Sequence, residues 1–169
     1  MPISDLEKKE LTRAKNAAYR YLTFRPRSRA EVEAKLRDKE FAEVVIGQVL
    51  SELSRLGYVN DRQFARQWAS GRVRLRGFGR RRIEQELRRK GVDQEIIREA
   101  FMEVFSDETE IETARKAAEK KISTMNVLDG NIRRRRLAGF LERKGFSFEI
   151  IQRVLRDTRK SMQPQTTTD

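Results

Sequence analysis

The sequence predicts an all-α fold, built as three tandem three-helix repeats that form an elongated, curved array. Three observations carry that expectation. The first is an internal repeat: Ile83, Leu87, Lys90-Gly91-Val92, Ile96-Ile97 and Ala100-Phe101 recur 54 positions later as Leu137, Leu141, Lys144-Gly145-Phe146, Ile150-Ile151 and Val154-Leu155. They recur 51 positions earlier as Val32, Leu36, Lys39-Glu40-Phe41, Val45-Ile46 and Val49-Leu50, with no gap inside any copy. The second is the helical spacing of those apolar residues, with no run that alternates as a strand would. The third is sparse punctuation, nine Gly and three Pro in 169 residues, which suits long helices with short joints.

Taken in order, the first helix runs through Ala17, Ala18, Tyr21 and Leu22 and stops near Arg25-Pro26. Ser28 with Glu31 then forms a capping box for the second helix. In copies two and three the second helix ends at Gly91 and Gly145, where a left-handed residue closes a helix at little cost to glycine. The first copy has Glu40 there and Ala42 at the following cap, which predicts a looser turn or a different helix end. The third helix carries Ile46, Val49, Leu50, Leu53 and Leu56 and ends at Gly57. The second copy opens with Asn60 or Asp61 as N-cap, continues through Phe64, Ala65, Trp68 and Val73, and breaks at Gly77-Phe78-Gly79. After Gly91, Val92 precedes the cap Asp93, with Ile97 at the staple position; Phe146, Ser147 and Ile151 repeat the arrangement. The third copy opens near Asp107, runs through Ile111, Ala114, Ala118 and Ile122, and breaks around Asp129-Gly130-Asn131. The expected boundaries are 1–59, 60–106 and 107–160, followed by a polar tail over 161–169. A unit of about fifty residues is too small to bury much core alone, so neighbours must lean on one another.

Lys and Arg number 38 against 26 Asp and Glu, a formal charge of +12, which favours a polyanionic partner such as nucleic acid or an acidic protein surface. The chain has no Cys and no His, which excludes disulfides, thiol nucleophiles, zinc sites with nitrogen or sulfur ligands, and histidine acid–base chemistry within it. No Walker A loop or metal-ligand spacing is present, so the expectation is a binding protein with no catalytic residues, cofactor or metal. The N-terminus lacks the apolar core of a signal peptide, and no run approaches the ~20 apolar residues of a membrane helix; a cytoplasmic monomer is expected.

Gly57-Tyr58-Val59-Asn60-Asp61, Phe64-Ala65, Gly79, Arg82-Ile83, Glu86-Leu87 and Lys90-Gly91-Val92 together resemble the central signature of the RecX family. Ser28, Glu31 and Leu36 on one side, and Leu141 to Phe146 including Gly145 on the other, resemble its flanking repeats, so the resemblance extends over about Ala17 to Asp157. It implies a bacterial cytoplasmic regulator that binds the RecA recombinase filament in its groove. It also implies lowered ATP hydrolysis, strand exchange and coprotease activity. The residues themselves favour plain roles: Asp61 as a helix cap, the glycines as backbone devices, and Tyr58, Phe64 and Trp68 as packing groups. Ile83 and Leu87 read as core, and Lys90 belongs to the Lys-Gly turn.

The candidate binding residues are basic. From Arg72 to Lys90 there are nine Lys or Arg and two acids, Glu84 and Glu86. Arg80 and Arg88 flank Glu84, and Arg82 and Lys90 flank Glu86, at the spacing of intrahelical pairs. Arg81, Gln85 and Arg89 form a stripe without an acid; 54 positions on it becomes Arg135, Gly139 and Arg143, whereas 51 positions back it is Ala30, Ala34 and Asp38. The second and third copies are therefore expected to present arginine stripes that the first does not. Arg72, Arg74 and the run Arg133-Arg134-Arg135-Arg136 complete the candidate set, the run suiting single- or double-stranded DNA backbone without sequence readout. A stand-alone DNA-binding protein is the alternative, although no segment reads as a recognition helix.

Overall fold

The computed structural model describes residues 5–125 and 129–161. Among these residues it contains nine helices and no strand: α1 (Asp5–Thr23), α2 (Arg29–Asp38), α3 (Glu43–Arg55), α4 (Asp61–Arg76), α5 (Arg80–Arg89), α6 (Gln94–Val104), α7 (Asp107–Ile122), α8 (Gly130–Arg143) and α9 (Phe148–Ser161). The tail expected over 161–169 lies outside the described residues from position 162 on; Ser161 still belongs to α9. The third break falls earlier than the glycine suggested. Asp129 is the N-cap of α8, accepting from the Ile132 amide at 2.8 Å, and Gly130 and Asn131 are already helical.

The repeat register read from the sequence is the register of burial. Val32, Ile83 and Leu137 are all buried, as are Leu36, Leu87 and Leu141, and Ile46, Ile97 and Ile151. Val49, Ala100 and Val154 follow, then Leu50, Phe101 and Leu155. The chain divides into two compact units, one made of the described residues up to Gln67 with Leu87–Ala100, the other of Trp68–Glu86 with the described residues from Phe101 on. In the first, α1 and α3 close over α2 around Ala18, Val32, Leu36, Ile46 and Leu53. In the second, α7, α8 and α9 enclose Ala114, Leu137, Leu141, Phe146 and Val154.

The three turns after the second helices share one geometry, which corrects the looser turn expected in the first copy. Phe41, Val92 and Phe146 each donate to the carbonyl five residues back, on Leu36, Leu87 and Leu141, at 3.4, 3.1 and 3.3 Å. Glu40 adopts the left-handed conformation at φ 59°, as Gly91 does at 71° and Gly145 at 89°. The hydrogen-bond pattern of the turn outweighs the ~1–2 kcal/mol that a Cβ costs in this region.

Glycine is needed at the later two turns because each is docked. In the first unit a Cβ on Gly91 would stand 2.3 Å from the Ala30 Cβ, and the Ser28 hydroxyl, wholly buried, donates to the Lys90 carbonyl at 2.5 Å. In the second unit a Cβ on Gly145 would stand 2.4 Å from the Arg82 amide nitrogen. There the Gly79 amide donates to the Lys144 carbonyl at 2.8 Å and the Arg81 amide to the Gly145 carbonyl at 3.1 Å. One joint is thus used twice: the Lys-Gly turn of one repeat seats on the start of the second helix of the repeat before it. The first amide of that seated helix is capped from the following repeat, Arg29 by Asp61 at 2.7 Å and Arg80 by Glu110 at 3.0 Å. Asp61 therefore caps α2; the cap of its own helix is Asn60, which accepts from Gln63 at 3.0 Å. Burial pushes the Asp61 carboxyl up, against the hydrogen bond from Arg29.

Candidate partner-binding surface

Helix α5 spends only Ile83 and Leu87 on the core, both wholly buried, and leaves the rest of its surface polar. Arg81, Gln85 and Arg89 are exposed, and so are Arg135 and Arg143 on α8. None of these four arginines makes an ion pair within the described residues. The neighbouring basic residues are engaged. Arg80 pairs with Glu110 at 3.0 Å, Arg82 approaches Glu86 at 3.8 Å, and Lys90 reaches Glu31 at 3.0 Å. The Arg88 guanidinium donates to Gln94 at 2.8 Å. At the equivalent place in the first copy, Ala30 lies beneath Gly91 and Asp38 pairs with Lys35 at 3.0 Å.

The joint of the second unit adds cations that reading along single helices does not reveal. The Arg82 guanidinium donates to the Arg143 carbonyl at 3.1 Å and lies 3.8 Å from the centre of the Phe78 ring. Lys144 stands 5.2 Å from Phe78 and 5.4 Å from Phe140, whose ring also holds Lys121 at 5.6 Å. The Lys144 ammonium donates to the Arg76 carbonyl at 2.5 Å. Burial, and then the charges of Arg82, Lys120 and Arg76, hold Lys144 below the usual lysine range. Such a cluster is electrostatically short of an anion, and binding one there would raise the lysine back towards its usual range. The grouping of Phe78, Phe140 and Lys144 escapes sequence reading because the joint that assembles it is tertiary. The only local signal is an aromatic held between two glycines.

The other candidates divide. Arg72 is committed inside the fold: it bonds Glu86 at 2.6 Å and lies 4.1 Å over the Trp68 ring, and the Trp68 indole N–H donates to the same carboxylate oxygen at 2.9 Å. Arg74 is exposed. Arg133 is half-buried, Arg134 donates to Gln152 at 3.4 Å, and the run lies in the opening turns of α8, whose first turn holds no acid. Phe64 is buried, in keeping with a packing role, whereas Tyr58 is 59% exposed and meets Tyr19 edge-on at 5.5 Å. Gly57 closes α3 at φ 77°. No helix is long and apolar enough to cross a membrane among the described residues.

Comparison with known proteins agrees with this architecture repeat by repeat. The models for the first, second and third three-helix domains of RecX match residues 14–53, 60–100 and 108–155. Regulatory protein RecX of Streptomyces coelicolor is 38% identical over 143 residues, 85% of this chain and 76% of that protein. The protein of the same name from Amycolatopsis mediterranei is 36% identical over 162 residues, 93% and 92% of the two chains. The crystal structure of RecX from Lactobacillus salivarius superposes with a TM-score of 0.80 at 26% identity, covering 90% of this chain and 99% of that one.

Proposed function

The chain belongs to the RecX family of regulatory proteins, and from that premise we propose that it binds the RecA recombinase filament in its groove and lowers ATP hydrolysis, strand exchange and coprotease activity. The observation that carries the contact surface is the set of exposed arginines without ion pairs, Arg81 and Arg89 on α5 and Arg135 and Arg143 on α8, together with the Lys144 cluster. Guanidiniums are less strongly hydrated than ammoniums and present two parallel donors to a carboxylate or phosphate. Several such contacts along a repeat protein reinforce one another once the first has formed. The work asked of this chain in this reading is occupation of a surface, performed in the cytoplasm without a cofactor.

The direct test adds the protein to purified RecA on single-stranded DNA with ATP and follows hydrolysis. Inhibition is expected, and a rate that stays unchanged at saturating protein overturns the proposal. Inhibition complete at well under one copy per RecA subunit favours capping or disassembly of the filament; a one-to-one requirement favours competition in the groove. Tight, sequence-selective binding to bare duplex DNA with no effect on RecA favours the alternative of a stand-alone DNA-binding protein.

A further inference from the structure

The first repeat lacks the arginine stripe but carries a basic groove of another kind. It lies between α1 and α2, has a volume of about 620 Å³, and is lined by Arg13, Arg20 and Tyr21 of α1, Phe24 just beyond that helix, Lys35 of α2 and its C-cap Lys39. No carboxylate lines it. Arg13 and Arg20 are exposed and make no ion pair among the described residues, while Lys35 holds Asp38 at 3.0 Å. Phe24 stands just past the last residue of α1 and is 84% exposed, although the core of this unit is closed without it. Tyr21 is half-buried and has Arg27 over one face at 3.9 Å, so Phe24 supplies the free ring.

An exposed phenylalanine gains nothing from water, and a groove carrying four cations repels other cations and attracts an extended anion. Arg13 and Arg20 are seven residues apart along α1, about 10 Å at 1.5 Å per residue, and Phe24 extends the path just past the helix end. Two or three nucleotides of a single strand have that reach. They also offer what the lining lacks, a flat ring for Phe24 and phosphates for the guanidiniums. An acidic peptide matches the charge but leaves the exposed ring unexplained. We infer that the α1–α2 groove binds single-stranded nucleic acid, with a base stacked on Phe24 and phosphates held by Arg13, Arg20 and Lys39. Its residues are not those of the arginine stripes, and the inference goes beyond the proposed regulatory role.

The test uses the full chain and a dT12 oligonucleotide, with no recombinase present. Phe24→Trp places a reporter in the groove, read as the difference from the chain that carries Trp68 alone. Saturable quenching is expected. Arg13→Glu with Arg20→Glu should weaken it about tenfold or more, and Phe24→Ala should weaken oligonucleotide binding by a similar factor. The quenching should survive reversal of Arg81, Arg89, Arg135 and Arg143, which separates this groove from the proposed filament surface. A Phe24→Trp reporter that stays unquenched while dT12 is bound elsewhere overturns the inference. So does a polyglutamate peptide that displaces dT12 at equal concentration with no dependence on Phe24, since the occupant is then an acidic protein segment.

Discussion

Glu40 and Gly145 hold the same place in two copies of one turn, and the contrast between them separates two reasons for glycine. Both have positive φ, but Glu40 is exposed, while a Cβ on Gly145 would fall 2.4 Å from backbone of α5. Glu40→Gly should therefore raise stability by about 1 kcal/mol, since it removes left-handed strain and breaks no contact. Gly145→Ala should cost about 3 kcal/mol, combining that strain with an overlap against atoms that cannot move aside. Gly91→Ala should cost a similar amount, and Ala30→Gly in the same chain should restore part of it, because the overlapping atom there is a side-chain Cβ. Urea denaturation followed by circular dichroism reads all four. A single rise for Glu40→Gly with no penalty at Gly145 would dismiss the docking explanation. The sequence shows a Lys-Gly turn and supports the left-handed reading. It does not show the second reason, because Ala30 and Arg82 approach only through the joint. For the same reason Glu40 neither loosens the turn nor changes the helix end: hydrogen bonding sets the turn, and docking sets the residue.

At the scale of the helix, the start of α2 shows how one carboxylate fixes a joint. Glu31 completes the capping box by accepting from the Ser28 amide at 3.1 Å, and also accepts from Arg25 at 2.7 Å and Lys90 at 3.0 Å. Burial pushes this carboxyl up, but the hydrogen bonds from Arg25, Ser28 and Lys90 outweigh it and lower it to about 2. The folded value lies below the unfolded one, so the stabilisation is fully present above about pH 4.5 and is lost as pH falls towards 2. Glu31→Gln should cost about 2 kcal/mol near neutral pH and should flatten this acid limb, measured as the urea midpoint against pH. An unchanged acid limb in the variant would show that another carboxylate controls it. The capping box was legible because its two residues are local; the bond to Lys90 was not. In the next repeat the residue matching Glu31 is Arg82, so Lys144 meets a cation where Lys90 meets an acid. That exchange gives the second joint its unneutralised charge. Arg82→Glu should pair with Lys144 and raise the lysine towards its usual range, leaving the fold within about 1 kcal/mol of the parent while partner binding falls. A large loss of stability would mean that the Arg82 contacts with Phe78 and the Arg143 carbonyl hold the joint together.

For the molecule as a whole, the question is whether placement or net charge governs binding. A charge of +12 is legible from composition, and the arginine stripes from spacing, but which basic residues are already engaged depends on the folded chain. Arg72 lies in the most basic stretch and is committed to Glu86, whereas Arg89, in the same stretch, has no ion pair among the described residues. Converting Arg81, Arg89, Arg135 and Arg143 to Glu takes the formal charge from +12 to +4. Converting Lys9, Arg55, Arg153 and Arg156, all exposed, produces the same +4 at other places. At 0.15 M salt the screening length is about 8 Å, so charges distant from a partner contribute little and charges in contact keep most of their effect. The stripe variant should therefore lose more than tenfold in affinity for the RecA filament at that ionic strength, and the control only two- to threefold. Below about 0.02 M salt screening relaxes and the control should fall towards the stripe variant. Equal losses at both ionic strengths would mean that the chain reaches its partner through bulk positive charge, with no contribution from the arrangement of arginines on α5 and α8.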